Sequence, residues 1–475
     1  MILPDDFVAQ TEKLFGTELW NIAKDALKGE PEVSIRLNPF KCDVGVCKTA
    51  DDGGEVSWCN NGFYLSGRKG FTFDPLFHAG VYYVQEASSM FLDFVLRSFM
   101  PDRPLMALDL CAAPGGKSTV ARAALPENSL LISNEPIKTR AQILAENMQK
   151  FGHPDVIVTN NYPQDIRRSG LTFDVIIADV PCSGEGMFRK DETAIKEWNL
   201  KNVDKCWRLQ REIVTDAWHC LRDGGLFVYS TCTFNSLEDE ENILYMVENL
   251  GAEVLGVSLD DEWNITGSLL PALDKPVFRF IPGRTRGEGL FMAVLRKTGN
   301  DDTIGGKGRQ RKGRFDRKTK ENGKAVKPDM SWLKQPDKYE LIKNDNAFYA
   351  VSKAWKDVYM QASSALHVLS AGVPLGEIKG KDIVPSHALA LSAAFDVSSF
   401  HKVELEYSQA MSYLRKDAVS LPAETPTGYV LLTFRNVPIG FCKNIGNRAN
   451  NLYPAEWKIK STHIPDAYTE IIKLR

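Results

Sequence analysis

Two cysteines stand where a nucleophile could work: Cys182 in "DVPCSGEG" (Asp179–Gly186) and Cys232 in "STCT" (Ser230–Thr233). A cysteine is ordinarily a small buried hydrophobe with no reactivity, and that reading suits Cys206, Cys220 and Cys442. Cys182 and Cys232 differ because each follows a strand-like run instead of filling one, and Asp179 lies three residues before the first. A third feature is "LDLCAAPGGKSTV" (Leu108–Val120), which ends like a phosphate-binding loop. The position of that pattern's first glycine holds Cys111, and Pro114 removes a backbone donor. Such a turn is a poor phosphate nest, so a nucleoside triphosphatase is disfavoured.

The elements that position these residues alternate. Apolar strand candidates are Pro104–Leu110, Ser129–Glu135, Asp155–Asn161, Phe173–Pro181 and Gly225–Thr233. Between them lie amphipathic stretches: Lys138–Gly152, Arg211–Gly225 with a glycine stop, and a helix after the first strand that Ser118 would cap. Strands alternating with helices predict an α/β fold with a parallel sheet covered on both faces. A last apolar strand, Gly289–Lys297, closes this unit. Further on, "SHALALSAAF" reads as helical and "GYVLLTFRNVPIGFCKN" (Gly428–Asn444) as a small β-unit.

In such a sheet, ligands sit beyond the carboxyl ends of the strands. The loop Cys111–Lys117, Glu135, Asp179–Gly186 and Ser230–Thr233 all fall there. Glu135 lies about 20 residues past the glycine loop, the spacing at which an acid reaches ribose hydroxyls. The dinucleotide fingerprint is missing, which points to an adenosine cofactor without a pyrophosphate, S-adenosylmethionine. Two thiols, an acid and a methyl donor suit one reaction well. Carbon 5 of cytosine is too weak a nucleophile to take a methyl group until a thiolate adds to carbon 6. An acid near ring nitrogen 3 then balances the growing charge, and a base removes the carbon-5 hydrogen.

Bulk properties set the frame. The chain has 475 residues, 43% hydrophobic and 25% charged, with a formal net charge of −3. This is ordinary globular composition with room for about three domains. The nine cysteines form no C-x-x-C pair, so neither a metal site nor a disulfide framework is expected. The N-terminus is unlike a signal peptide and no apolar run approaches a membrane span; a cytoplasmic protein with reduced thiols is expected. Basic residues concentrate between Lys307 and Lys327, a flexible linker able to track phosphates.

"DLCAAPGGKST", "DVPCSGEGMFRKD" and "YSTCTFNSLEDEEN" resemble three core motifs of the Sun/Nop-type RNA cytosine-C5 methyltransferases, and the whole chain resembles their bacterial RsmF-type branch. The resemblance implies a class I methyltransferase (Rossmann-like) sheet, an N-terminal α+β RNA-binding region and a C-terminal PUA-like β domain. The expected division is 1–82 for the N-terminal region, 83–298 for the catalytic domain, 299–328 for the linker, 329–417 for an intermediate domain and 418–475 for the PUA-like domain. It further implies that Cys232 is the nucleophile and that Cys182 assists release. Cys111, Ala112, Ala113, Pro114, Gly115, Gly116 and Lys117 would cradle the cofactor's methionine part, Lys117 also helping to place the cytosine. Glu135 would hold the ribose, and Asp179 would serve both cofactor and base. Where the family carries an acid near the adenine, this chain has Tyr162 after Asn160 and Asn161. The late "RFIPG" (Arg279–Gly283) has glycine where the family often has histidine, and no catalytic role is assigned to it.

The expected activity is methylation of small-subunit (16S) ribosomal RNA, as naked RNA or in the assembled subunit, by a monomer. A transfer RNA substrate and a non-catalytic assembly factor are the rival readings. Arg36 and Asn38 in "SIRLNPF" would either contact RNA or shape a turn. Arg189 and Lys190 are expected at the RNA entry, Phe188 in a core or on a base, and Glu185 holding its loop.

Overall fold

The computed structural model describes residues 2–43, 45–51, 53–299, 327–461 and 463–474. The basic stretch up to residue 326, and with it nearly all of the expected linker, lies outside the described residues.

The central sheet is built from β1 (Met106–Asp109), β2 (Leu130–Asn134), β3 (Val156–Thr159), β4 (Phe173–Asp179), β5 (Leu221–Thr231), β6 (Ala252–Leu255), β7 (Phe278–Phe280), β8 (Leu290–Lys297) and β9 (Val368–Ala371). Its spatial order is β6-β8-β5-β4-β1-β2-β3-β9, with β7 paired to β8. The five strands β3-β2-β1-β4-β5 run parallel, and β8 is antiparallel beside β5. Almost every residue of β1, β2 and β3 is buried, as strands covered on both faces must be. Chain order reverses on either side of β1, which makes its carboxyl end the switch point.

Helices α1 (Gly116–Ala124), α2 (Lys138–Phe151), α3 (Leu200–Cys220) and α4 (Glu240–Leu250) connect the strands. Helix α2 buries Ala141, Leu144, Met148 and Phe151, one stripe at helical spacing. It stops at Gly152 with φ 81°, where an added Cβ would sit 2.1 Å from the Leu391 carbonyl oxygen. Two local expectations are corrected. Ser118 does not cap α1: Gly115 takes the cap position, and Ser118 lies in the first turn, donating to Asp109. The glycine pair after Arg211–Asp223 does not stop α3, which ends at Cys220. Gly224, φ 74°, lies inside β5 where the register against β4 shifts, a conformation that suits glycine at a bulge.

The flanking parts grip this sheet. Strands Gly62–Leu65, Val33–Leu37 and Tyr82–Val84 form an antiparallel sheet. Its Leu37 and Phe63 share one apolar core with Val430, Leu432 and Tyr453 of the C-terminal region. That region is a four-stranded sheet of His401–Glu404, Gly428–Phe434, Val437–Asn444 and Ala449–Asn451. A further sheet, Tyr339–Asn344, Ala347–Ser352, Val373–Lys379 and Asp382–Pro385, precedes it. Strand β9 leaves this intermediate region to extend the catalytic sheet beside β3. Of "SHALALSAAF" only His387–Ala390 is helical, capped by Ser386. Helix Asp5–Leu27, kinked at Gly16, places Phe7, Phe15 and Trp20 against Phe188, Trp198 and Phe234, so it backs the loops that follow both candidate cysteines. Among the described residues no helix is long and apolar enough to cross a membrane, and no cluster of three His, Cys, Asp or Glu side chains is placed to hold a metal.

Candidate active site

Four neighbouring strands deliver the candidate residues side by side: Glu135 after β2, the loop Cys111–Gly115 after β1, Asp179 ending β4, and Cys232 after β5. At a strand spacing of about 4.8 Å this row spans roughly 14 Å.

The loop is held from α2. Arg140 Nη2 donates to the Ala113 carbonyl at 2.9 Å, and Asn147 Nδ2 to that of Pro114 at 2.8 Å. Gly115, φ 117°, has Leu144 Cδ1 3.3 Å from where a Cβ would stand, so a side chain there would strain the backbone and crowd Leu144. Cys111, Ala112 and Ala113 are buried, and Ala112 N donates to the Asn134 carbonyl at 2.8 Å. Burial, with Asp109 and Glu135 nearby, pushes the Cys111 thiol well above its usual range, which leaves it inert. Pro114 is exposed, and Gly116 and Lys117 are half-buried at the start of α1.

Glu135 is 1% exposed. Its Oε1 accepts from Ile137 N at 3.0 Å, while Oε2 has no hydrogen-bond donor and only the Arg140 guanidinium 3.7 Å away. A buried carboxylate oxygen without a donor is costly, and a pair of ribose hydroxyls would supply one. Asn160 Nδ2 fixes the Glu135 carbonyl at 2.8 Å. Tyr162 stands on the rim, 68% exposed. The donorless Glu135 oxygen, the close turn at Gly115 and the lack of a phosphate nest all fit S-adenosylmethionine.

Lys117 Nζ lies 2.9 Å from Asp179 Oδ1, which also accepts from Ser230 Oγ at 2.7 Å. Burial works against the ammonium, but Asp179 outweighs it and raises the Lys117 pKa, with help from Cys232 and Asp109. The Cys182 and Cys232 sulfurs are 3.2 Å apart, both free thiols. The contact with Cys232, followed by burial, holds the Cys182 thiol well above the usual range. Cys182 therefore keeps its proton.

Several residues support the site, and of these Glu238 and Gln210 carried no separate signal in the sequence. Ser118 Oγ donates to Asp109 Oδ2 at 2.6 Å beneath the loop. Glu238 Oε2 accepts from Ser183 N at 3.0 Å and from Gln210 Nε2 at 2.7 Å, and Gln210 also holds the Pro181 carbonyl. Glu185 holds its loop, accepting from Phe234 N, Asn235 and Trp198 Nε1. Gly186 N donates to the Cys232 carbonyl at 2.8 Å, joining the two cysteine loops.

Four expectations are corrected or decided. Arg189 does not face an RNA entry: its side chain is buried, forked onto Glu288 at 2.8 and 2.9 Å and bonded to the Ala26 and Gly287 carbonyls. Arg36 and Asn38 are 2% exposed and serve the interior. Arg36 bonds Thr119 Oγ1 and Gln85, and Asn38 the Gly80 and Phe151 carbonyls. Phe188 is a core residue against Phe7, whereas Cys206 is half-buried, more open than Cys220 and Cys442.

Comparison with known proteins follows the same map. The family described as 16S rRNA methyltransferase RsmB/F matches residues 99–296. The N-terminal domain of 16S rRNA methyltransferase RsmF matches 3–87, and the methyltransferase RsmF PUA domain 400–459. The ribosomal RNA small subunit methyltransferase F of Aliivibrio salmonicida is 30% identical over 96% of this chain and 98% of its own length. That of Aliivibrio fischeri is 31% identical with the same coverage. The crystal structure of NSun6 from Pyrococcus horikoshii with SFG shares the fold at TM-score 0.51, 21% identity, 62% of this chain and 99% of that one. With relatives aligned over nearly their full length and three matching parts in order, the chain belongs to the 16S rRNA methyltransferase RsmB/F family, in its RsmF branch.

Proposed function

We propose that this enzyme methylates carbon 5 of a cytosine in small-subunit ribosomal RNA, with Cys232 as the covalent nucleophile. The carrying observation is the pairing of Cys232 with a second thiol 3.2 Å away, beside an acid salt-bridged to a lysine. A methyltransferase acting on an amino group would need neither thiol.

The chain's own residues divide the work. The loop Cys111–Lys117 and Glu135 hold S-adenosylmethionine, which supplies an electrophilic methyl carbon when bound. The Lys117 ammonium, kept charged by Asp179, lies close enough to Cys232 to feel its charge. The Cys232 thiolate adds to carbon 6 of the cytosine, making carbon 5 the nucleophile. Asp179 is read as facing ring nitrogen 3, which gains basicity as the thiolate adds; the proton this nitrogen takes up comes from solvent, and the Asp179 carboxylate accepts the resulting N–H bond. After transfer, loss of the carbon-5 proton to a base re-forms the ring double bond and expels Cys232. Cys182 takes part in this release. Tyr162 lies where an adenine edge would emerge.

The residues 1–82 and 418–475 are read as the RNA-holding parts around a catalytic domain of 83–298, with 329–417 between; the three family matches fall in this order along the chain, the last beginning at 400. The enzyme acts as a monomer in the bacterial cytoplasm, where small subunits are assembled. The test is transfer of labelled methyl to small subunits, small-subunit RNA and transfer RNA, all from cells lacking the protein. 5-Methylcytosine in one ribosomal substrate supports the reading, label in transfer RNA alone overturns the substrate, and no label with intact cofactor binding overturns the activity.

A further inference from the structure

The motif "RFIPG" finds a place in the structure. Arg279, in β7, is 0% exposed and lies between two equally buried acids, Asp239 and Glu240, just before and at the start of α4. Its Nη1 is 2.9 Å from Asp239 Oδ2 and donates to the Phe234 carbonyl at 2.9 Å. Its Nη2 reaches both Glu240 oxygens at 2.7 Å. The other Asp239 oxygen accepts from Thr231 Oγ1 at 2.5 Å and from Thr233 Oγ1 at 2.9 Å. Those two threonines flank Cys232.

We propose that Asp239 and Arg279 form a positioning strut for Cys232, Asp239 tying the hydroxyls on both sides of the nucleophile and Arg279 anchoring Asp239 and the Phe234 carbonyl to the sheet. Stability alone is a poor account of this arrangement. Removing three charges from water is expensive, and apolar side chains of similar volume often serve a core as well or better. The bonds instead converge on Thr231, Thr233 and Phe234, one on either side of Cys232 and one a residue beyond. A carbon–sulfur bond forms only when sulfur meets carbon at the correct distance and angle, and a displacement of about 1 Å costs roughly a hundredfold in rate. The loop has no regular hydrogen-bond ladder past Thr231, where β5 ends. The strut replaces that ladder. Asp239 and Arg279 touch no reacting atom in this scheme and act only through Cys232.

The inference rests on Cys232 being the nucleophile, so its test includes Cys232→Ala. The probes are small-subunit RNA and small subunits from cells lacking the protein, at saturating S-adenosylmethionine, read in a single turnover. The informative pair replaces both threonines: Thr231→Val with Thr233→Val keeps shape and removes the hydroxyls, whereas Thr231→Ser with Thr233→Ser keeps them. Arg279→Lys, which cannot fork, is the third variant. The valine pair and Arg279→Lys should slow methyl transfer at least tenfold per folded molecule, with cofactor Kd and RNA KM within twofold of wild type. The serine pair should restore the wild-type rate. The ratio of Cys232 to Cys182 alkylation by iodoacetamide, read by mass spectrometry, should shift in the valine pair and not in the serine pair, a change that mere loss of stability does not produce. A valine pair that transfers methyl within twofold of wild type overturns the strut while Cys232→Ala remains inactive. An active Cys232→Ala overturns the nucleophile itself and the strut with it.

Discussion

The Cys182 sulfur sits 3.2 Å from the Cys232 sulfur, because the two loops leave adjacent parallel strands and the Gly186 amide bonds the Cys232 carbonyl. Two thiols in contact cannot both ionise cheaply, since the second charge would face the first in a site largely shielded from water. The Cys182 thiol is pushed up by that contact and by burial, so Cys182 keeps its proton. This asymmetry suits a nucleophile beside a group that manages release.

The cysteines should therefore fail differently. Cys232→Ala should abolish methyl transfer and leave cofactor affinity unchanged. Cys182→Ala should form the adduct and release it slowly, giving a protein–RNA band that survives heating in detergent. A gel of Cys182→Ala with its RNA that shows no such band sinks the release role.

Glu135 has one oxygen committed to Ile137 N and one without a donor. Removing the side chain would leave cofactor hydroxyls unpaired, at about 1–3 kcal/mol. Glu135→Ala should weaken S-adenosylmethionine roughly 5- to 150-fold by titration calorimetry. An unchanged Kd would move the ribose contact to another residue.

The order of strand ends was legible in the sequence because apolar runs alternating with amphipathic helices leave few topologies, and β4 and β5 are neighbours as that order requires. Cys182, Cys232 and Asp179 could be found because each stands past the end of an apolar run or closes one. Polar residues that turn inward were not legible in the same way. Arg36 reaches Thr119 and Arg189 reaches Glu288, partners far along the chain, and no local pattern distinguishes such an arginine from a solvated one. Strand β9 was hidden for a similar reason: its few residues pair with β3 across more than two hundred positions. Ser118 looked like a cap because its type suits one, but the buried Asp109 captured its hydroxyl first.

Arg36 and Arg189 should accordingly behave as structural residues. Arg189→Gln leaves the buried Glu288 carboxylate with only the Lys190 ammonium, 3.7 Å away, and breaking a buried pair costs about 3–5 kcal/mol. Arg36→Gln removes bonds to Thr119 and Gln85 at a smaller cost. Neither should alter the salt dependence of RNA binding by the folded protein, because neither neutralises a phosphate. A slope of log Kd against log salt that falls by about one unit in either variant would put that arginine on the RNA instead.

Asp109 gives the enzyme a pH signature. Full burial pushes its carboxyl up to about 7, with Ser118 Oγ the one donor that opposes the shift directly. Between about pH 4 and about 7 the unfolded chain has lost this proton while the folded chain keeps it. The unfolded state then binds fewer protons, so this group's contribution to stability falls as pH rises through the window and levels off above it. The sign is opposite to that of a salt-bridged aspartate. The total lost is on the order of 4 kcal/mol at 1.36 kcal/mol per pH unit. Asp109→Asn keeps the shape and the acceptor for Ser118 and removes the titration. Denaturant unfolding of both proteins across pH 4–8 should show the wild type losing stability relative to Asp109→Asn as pH rises to about 7, and a constant difference beyond. Parallel curves throughout would mean that Asp109 is ionised in the folded protein, its burial offset by a partner other than Ser118.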